Sequence, residues 1–253
     1  GFGIAISSGC VTPRSRKVGT EAPVVTETPV STELTVATEA PVMTEAPMYA
    51  SQAPTLGSTQ VSPKDGMTMM FVPAGEFPMG SPDGIGYDNE HPQHPVYLDA
   101  YWIDQTEVTN AMYEMCVDDG KCTDPYSEES STRPSYFRNS TYRDYPVINV
   151  DWFQAKAYCE WVGRELPTEA QWEKAARGTD GRTYPWGNNS PNGNLVNLAD
   201  SNTSFDWRDD TIDDGYADTA PVGTYPAGKS PSGALDMAGN VWEWVADWSG
   251  DSP

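Results

Sequence analysis

The sequence has few basic residues, two histidines, four cysteines and no long apolar run. Its 253 residues include 15 Lys and Arg against 37 Asp and Glu, which gives a formal net charge of −22. A chain this acidic offers no basic surface to a polyanion, so nucleic acid is excluded as an expected partner. No run is long enough to span a bilayer. The acidic balance is compatible with calcium binding and with a place outside the cytoplasm.

The chain begins with GFGIAISSGC, an apolar run that ends in small residues and Cys10. The run resembles the end of a bacterial lipoprotein signal, with Cys10 as the lipid anchor, although Ser7 stands where that pattern prefers leucine. The alternative is a cysteine in an unstructured terminus. Residues 1–10 are therefore interpreted as the end of a signal-like or lipoprotein-like segment.

A repeat follows over residues 20–49. It reads TEAPVV, TETPVS, TELTVA, TEAPVM and TEAPMY, and each hexapeptide opens with Thr-Glu. Threonine and proline at this density cannot build a hydrophobic core. The sequence predicts a disordered, extended tether over residues 11–62 that holds a domain away from a membrane. A linker without an anchoring role is the alternative.

Residues 63–253 have the composition of a folded domain, with apolar residues separated by Gly and Pro. The pattern predicts short strands near Val72 and Phe77 and a further strand over 96–104. A first helix is expected to begin after Thr109 and to end at Gly120.

Two capping boxes predict two more helices. Asp151 is followed three residues later by Gln154, and Thr168 by Gln171, each before a helical apolar pattern. Gly178 is expected to end the second of these helices. Residues 185–235 have no regular periodicity, and an irregular segment that long inside a domain is expected to be functional or stabilised by a ligand.

The stretch ALDMAGNVWEWVADW, residues 234–248, contains an acid in an apolar run. Read as a strand, it places Glu243 on the same face as Val241 and Val245. A buried carboxylate without a partner would cost several kcal/mol or lose its charge. The pattern therefore predicts that something is bound to Glu243.

Six motifs in this order resemble the formylglycine-generating enzyme, or sulfatase-modifying factor, family. They are FVPAGEFPMGS, HPVYLDAYWIDQTEVTNAMY, YPVINVDWFQAKAYCEWVGRELPTEAQWEKAARG, YPWGN, APVGTYPAG and GALDMAGNVWEWVADW. The resemblance covers about residues 66–248. It implies an α+β fold of the C-type-lectin-like kind, with much irregular structure braced by calcium.

The resemblance also implies two calcium ions. The second site corresponds to the side chains of Asp236 and Glu243 and the carbonyls of Gly239 and Val241, the hard oxygen donors that calcium prefers. Asp236 replaces a neutral amide common in the family, which adds a negative charge. A solvated acidic turn is the alternative.

The first calcium site corresponds to Asn197, Leu198, Asp214 and Tyr216. The register of this set is open because the same segment holds surplus acids, namely Asp200, Asp209, Asp210 and Asp213. A solvated turn is again the alternative.

The cysteines are expected to serve structure. Cys116 and Cys122 enclose five residues at a helix end, and an exported protein would oxidise them to a disulfide. A zinc site is a weaker alternative, because the two histidines, His91 and His94, lie together in a distant loop. They are predicted to be surface residues. Cys159 matches a family cysteine whose disulfide partner lies beyond the end of this sequence, with a buried free thiol as the alternative.

The resemblance implies an oxidoreductase that converts a cysteine of a target sulfatase, in a Cys-x-Pro-x-Arg motif, to formylglycine. It would use oxygen and copper held by two cysteines in a segment that follows NVWEWVADW. The sequence ends at Pro253, before that segment, so no catalytic residue is assigned and enzymatic activity is left open.

The alternatives are a non-catalytic, calcium-stabilised module that binds protein or glycan, and an iron-dependent relative from the sulfur-inserting branch. A monomer outside the cytoplasm, secreted or lipid-anchored, is expected.

Overall fold

The computed structural model describes Ile6–Ser7, residues 9–13 and residues 53–248. The predicted tether lies outside the described residues over 14–52. The strands are β1 Ile6–Ser7, β2 Thr59–Val61, β3 Thr68–Val72, β4 Gly75–Met79, β5 His94–Leu98, β6 Tyr101–Asp104 and β7 Trp242–Glu243. The helices are α1 Asn110–Asp118, α2 Trp152–Trp161 and α3 Glu169–Arg177, with short 3-10 turns at Asp88–Glu90, Ser140–Tyr142 and Pro226–Gly228.

The strands form three small sheets. Strands β2, β3 and β6 make an antiparallel sheet in that order, β4 pairs antiparallel with β5, and β1 pairs parallel with β7. The strand predicted over 96–104 is two strands in the structure. Asp99 and Ala100 separate β5 from β6 because the first pairs with β4 and the second pairs with β3 in another sheet.

The three helices begin where the capping residues predict. The Thr109 side chain accepts from the Met112 backbone N–H at 3.2 Å, and α1 starts at the next residue. Complete capping boxes precede α2 at Asp151 and α3 at Thr168. The helix predictions are confirmed, because each cap satisfies backbone N–H groups that the first helical turn leaves unpaired.

Two hydrophobic clusters form the core, and residues 9–13 contribute to both. Cys10 is buried with α1 and α2 side chains, whereas Val11 is buried with residues of β3, β6 and α3. Val11 also forms backbone bridges to Ile103 and Glu165. The boundaries predicted at 10 and 63 are therefore wrong, since residues 9–13 and β2 are integral parts of the domain.

Both disulfides of the structure lie in this core. Cys10 is bonded to Cys159, and Cys116 to Cys122, the pair predicted from spacing. The prediction of a lipid anchor at Cys10 is wrong for this structure, because a sulfur bonded to Cys159 cannot also carry a lipid thioether. The prediction that Cys159 pairs with a cysteine of a later segment is also wrong for this structure, because Cys159 is bonded to Cys10.

A buried ionic network fixes β6 to the loop after α2. Arg164 is paired with Asp65 and with Asp104, and all three side chains are almost fully buried. The Cys10 backbone N–H donates to Asp104 at 2.8 Å, and the Tyr158 hydroxyl donates to Asp65 at 2.8 Å. The Arg164 guanidinium thus supplies one positive charge for two carboxylates. The Cys10 N–H and the Tyr158 hydroxyl add neutral hydrogen bonds to them.

The long segment over 185–235 is irregular, as predicted, apart from the 3-10 turn at Pro226–Gly228. It ends just before the turn that leads into β7. Within the described ranges, no helix is long and apolar enough to cross a membrane.

Candidate functional site

A tight turn precedes β7 and carries the residues predicted for the second calcium site. Asp236, Gly239 and Asn240 all have left-handed backbone conformations, with φ of 57°, 72° and 56°. At Gly239 a Cβ atom would lie 2.1 Å from the Asn197 carbonyl oxygen. Glycine is required there because the turn presses directly against residue 197.

Glu243, the acid of the apolar run, has protein partners in the structure. Its Oε2 accepts from the Trp172 indole Nε1 at 3.1 Å, and its carboxylate also accepts from the Gly9 backbone N–H. Both donors are neutral, so they satisfy hydrogen bonds without cancelling the charge. Burial, together with the charges of Asp236 and Asp104, raises the pKa of Glu243 to about 7 against these hydrogen bonds.

Asp236 lies beside a buried acid that the sequence did not single out. The Gly223 backbone N–H donates to Asp236 Oδ2 at 2.6 Å. The Glu107 side chain, 1% exposed, is within hydrogen-bonding reach of the Asp236 carboxyl. Burial raises the pKa of Asp236, and burial followed by the charges of Asp236 and Glu243 raises that of Glu107.

The residues predicted for the first calcium site also come together. Asp214 accepts from the backbone N–H of Leu198 at 2.8 Å and of Tyr216 at 2.9 Å. Asp200, fully buried, accepts from the Asp214 N–H at 2.6 Å and orders the loop. Burial raises the pKa of Asp214, against these two backbone hydrogen bonds.

The two predicted sites are neighbours. The Asn240 backbone N–H donates to the Asn197 carbonyl at 2.9 Å, and Asn197 Nδ2 donates to Asn240 Oδ1 at 3.0 Å. Asn240 Nδ2 in turn donates to Glu107 Oε1 at 3.0 Å. A chain of three side chains thus joins the first site to the buried acids of the second.

The donor types of the second site fit calcium. Asp236, Glu243 and Glu107 are three carboxyl groups in electrostatic contact, and the buried Glu107 Oε2 has no hydrogen-bond partner among the described residues. Over Ile6–Ser7, 9–13 and 53–248, no three His, Cys, Asp or Glu side chains converge as a ready chelate. A cation there would therefore depend on backbone carbonyls as well, which calcium accepts.

Copper does not fit the residues present. All four cysteines of the sequence are paired in the two disulfides, so none is a thiolate ligand. His94, the first residue of β5, is exposed, as predicted, and His91 is partly exposed.

A wide cleft of about 1250 Å³ opens over the acidic turn. Its aromatic lining includes Trp152, Trp172, Phe205, Trp207, Trp242 and Trp248. Trp207 and Trp242 are 70% and 76% exposed, and Phe205 stacks on Trp207 with ring centroids 5.0 Å apart. Glu243 and Asp236 lie in the same lining, so the cleft combines aromatic faces with negative charge.

Small sheets, three capped helices and a long irregular segment around an acidic turn define a domain of the sulfatase-modifying factor type. The profile of the "Sulfatase-modifying factor enzyme 1-like domain" matches residues 55–253. The chain belongs to this family.

The chain is similar to several proteins of this family and fold. It is 36% identical to the formylglycine-generating enzyme of Streptomyces coelicolor, over 74% of this chain and 70% of that one. It is 32% identical to the hercynine oxygenase of Mycolicibacterium smegmatis, over 74% of this chain but only 48% of that one. The solved structure of PvdO from Pseudomonas aeruginosa superposes with a TM-score of 0.62 at 27% identity, covering 77% of this chain and 76% of that one.

Sequence reasoning missed Glu107, Asn240, Trp172 and Gly9 as parts of this site. Glu107 stands in QTEVT, between a strand and a helix, and nothing in its neighbours distinguishes it from a surface acid. Trp172 fits the apolar pattern of α3, so the sequence does not distinguish its indole N–H from that of a packing residue. The N–H of Gly9 carries no sequence signal at all, because any residue except proline supplies one.

Proposed function

We propose that this chain is the core of an exported protein that, in its complete form, oxidises a cysteine of a substrate protein to formylglycine. The observation that carries the proposal is the family membership over residues 55–253, combined with 36% identity to an enzyme of that name. The cleft beside the acidic turn, with a volume of about 1250 Å³, can accommodate a peptide segment.

In this proposal the described residues bind and orient the substrate. The exposed faces of Trp207 and Trp242 would cover apolar parts of a peptide, and stacking would fix its path through the cleft. The acids of the lining favour a substrate with a basic residue. No step is assigned through copper, since all the cysteines of this sequence are in disulfides.

Two calcium ions are proposed as structural ions. They would neutralise the acids of the turn before β7 and of the loop around Asp214, and so hold the irregular segment against the core. Export is supported by the two disulfides, which form and persist in oxidising compartments. We further propose a monomer whose partners are proteins or glycans.

The test of the activity uses the complete protein, loaded with copper, and a peptide that carries Cys-x-Pro-x-Arg. Formation of an aldehyde, detected by hydrazide labelling and mass spectrometry, is the expected result. A peptide with serine in place of the cysteine is the control. Residues 1–253 alone are expected to give no aldehyde, because they contain no free cysteine to hold copper.

The second candidate is a non-catalytic module that binds protein or glycan. It is favoured by the pairing of all cysteines and by the exposed aromatic faces of the cleft. Binding of the peptide by the complete, copper-treated protein without aldehyde formation, weakened by Trp242→Ala, would support this candidate over the enzyme. The sulfur-inserting oxygenase reading has the similarity to hercynine oxygenase in its favour. Against this candidate, the described part of the chain contains no histidine cluster that could hold iron.

A further inference from the structure

Arg133 is a partly buried arginine that is held by three aromatic rings. Its guanidinium carbon is 5.5, 5.0 and 4.9 Å from the ring centroids of Tyr136, Tyr142 and Tyr145. Its side chain is 14% exposed. Aromatic faces attract a cation, and three of them around one guanidinium restrict its movement. The place of this charge is therefore fixed by rings from its own part of the chain.

The guanidinium binds Thr219 at two points. Its Nη1 donates to the Thr219 hydroxyl and its Nη2 to the Thr219 carbonyl, both at 2.8 Å. The Tyr136 hydroxyl, 2.9 Å from that of Thr219, donates to the Pro146 carbonyl at 2.7 Å. Because the Tyr136 proton is used there, Thr219 donates to Tyr136 and accepts from Arg133. A lysine ammonium is a single point charge and cannot reproduce this two-nitrogen contact.

The preceding residue, Asp218, is held by the same part of the chain. Its Oδ2 accepts from the backbone N–H and the hydroxyl of Thr132, both at 3.1 Å. The same oxygen lies 3.7 Å from Arg133 Nη1, and Oδ1 accepts from the Thr219 N–H at 2.9 Å. The Asp218 side chain is 8% exposed. Its carboxylate is therefore engaged by the protein itself, and its charge is offset by Arg133.

The residues that these contacts fix line the cleft. Ser131, Asp218 and Thr219 all belong to the lining. The next residue, Ala220, donates its backbone N–H to Asn240 Oδ1 at 2.8 Å, and Asn240 lies in the same lining. The contacts thus connect one wall of the cleft, formed by Ser131, Asp218 and Thr219, to the acidic turn before β7.

We infer that Arg133 is a positioning residue for the peptide that the cleft binds. It acts through Thr219 and Asp218, because it holds this wall in the shape that the peptide meets. The inference rests on the proposed peptide substrate, and it adds the residue that sets the shape of one side of the cleft. A wall that is ordered before binding does not have to be ordered by the peptide, so the affinity is higher.

The experiment measures peptide binding by the complete protein. The ligand is a fluorescent peptide that has serine in place of the cysteine of Cys-x-Pro-x-Arg, so that binding is separated from chemistry. Arg133→Lys keeps the charge but loses the two-nitrogen contact, and we expect the dissociation constant to rise about three- to tenfold. Arg143→Lys is the matched control, because Arg143 is exposed and pairs with Glu114 at 3.2 Å. It should bind the peptide as the wild type does.

Hydrogen exchange distinguishes a loosened wall from an unfolded protein. In Arg133→Lys the backbone N–H groups of Thr219 and Ala220 should exchange faster, whereas those of α1, α2 and α3 should exchange as in the wild type. Thr132→Val is a second variant, which removes one of the donors to Asp218. It should change exchange and affinity in the same direction, by a smaller amount.

The outcomes separate the inference from the proposed function. Faster exchange at the wall together with weaker binding supports the role of Arg133. Unchanged exchange there, or faster exchange with unchanged binding, overturns that role and leaves the peptide-binding function standing. No binding by the wild type overturns both. A wild-type crystal with the peptide decides independently of whether the variants fold. A peptide in contact with Asp218 or Thr219 supports the inference, and a peptide bound only elsewhere overturns it.

Discussion

Cys10 and Cys159 are joined by a disulfide across a sequence separation of 149 residues. The bond attaches residues 9–13 to α2, and the same residues bridge β6 and the loop that follows α2. Cys10 and Val11 thereby pack into the core that is formed by residues 53–248. The disulfide lies next to the acidic residues before and in β7, because Gly9, which precedes Cys10, donates its backbone N–H to Glu243.

The Cys10–Cys159 disulfide should stabilise the domain more than the Cys116–Cys122 disulfide does. Loop-closure entropy predicts a loss of about 5 kcal/mol for the double substitution Cys10→Ser, Cys159→Ser, against about 2 kcal/mol for Cys116→Ser, Cys122→Ser. The measurement is urea unfolding of both variants and of the wild type at one fixed calcium concentration. An equal or smaller loss for the longer loop would show that residues 9–13 contribute little to the folded state.

Removing residues 1–13 should destabilise the domain, whereas shortening the repeat should not. The truncation removes the buried Val11 and two backbone donors to buried carboxylates, and leaves Cys159 as a free thiol. Deletion of two hexapeptides, residues 20–31, changes loop closure by less than about 1 kcal/mol. Melting curves and thiol titration of both proteins check this. Equal melting temperatures would contradict it.

The Asp65–Arg164–Asp104 network should make the stability depend on pH. Burial raises the pKa of Asp104 from 3.8 to about 7, against the opposing effects of Arg164 and the Cys10 N–H. Because the folded pKa is the higher one, this contribution is fully present below about pH 4 and is lost as the pH rises through about 7. Relative to Asp104→Asn, the wild type should therefore lose free energy of unfolding between about pH 5 and about pH 8. Parallel profiles from urea unfolding would disprove the assignment.

Calcium should raise the melting temperature, and Glu243→Gln should remove most of that rise. The substitution keeps the shape and an acceptor for Trp172 but removes one of the charges that the ion would neutralise. At free calcium several hundred times the dissociation constant, linkage gives about 3 to 4 kcal/mol for the wild type. Melting with calcium and with chelator measures it. If chelator leaves the wild type unchanged, Trp172 and Gly9 alone account for the placement of Glu243.

The sequence by itself determined the local features. Thr109, Asp151 and Thr168 predicted the helix starts, because a cap acts on N–H groups within three residues of itself. The order of motifs predicted the family and the fold, which the comparisons confirm. The spacing of Cys116 and Cys122 predicted a bonded pair, since six residues of separation leave the two sulfurs close in any compact turn.

Only the tertiary structure decided the long-range pairings. The sequence predicts a lipid anchor at Cys10 and a later disulfide partner for Cys159, because no local rule connects residues 149 apart. Glu107 has no distinguishing sequence signal, and only the fold buries it beside Asp236. Burial, and the neighbours that come with it, depend on how separate segments pack. The sequence therefore showed which residues needed a partner, such as Glu243, and the packing determined which partners were within reach.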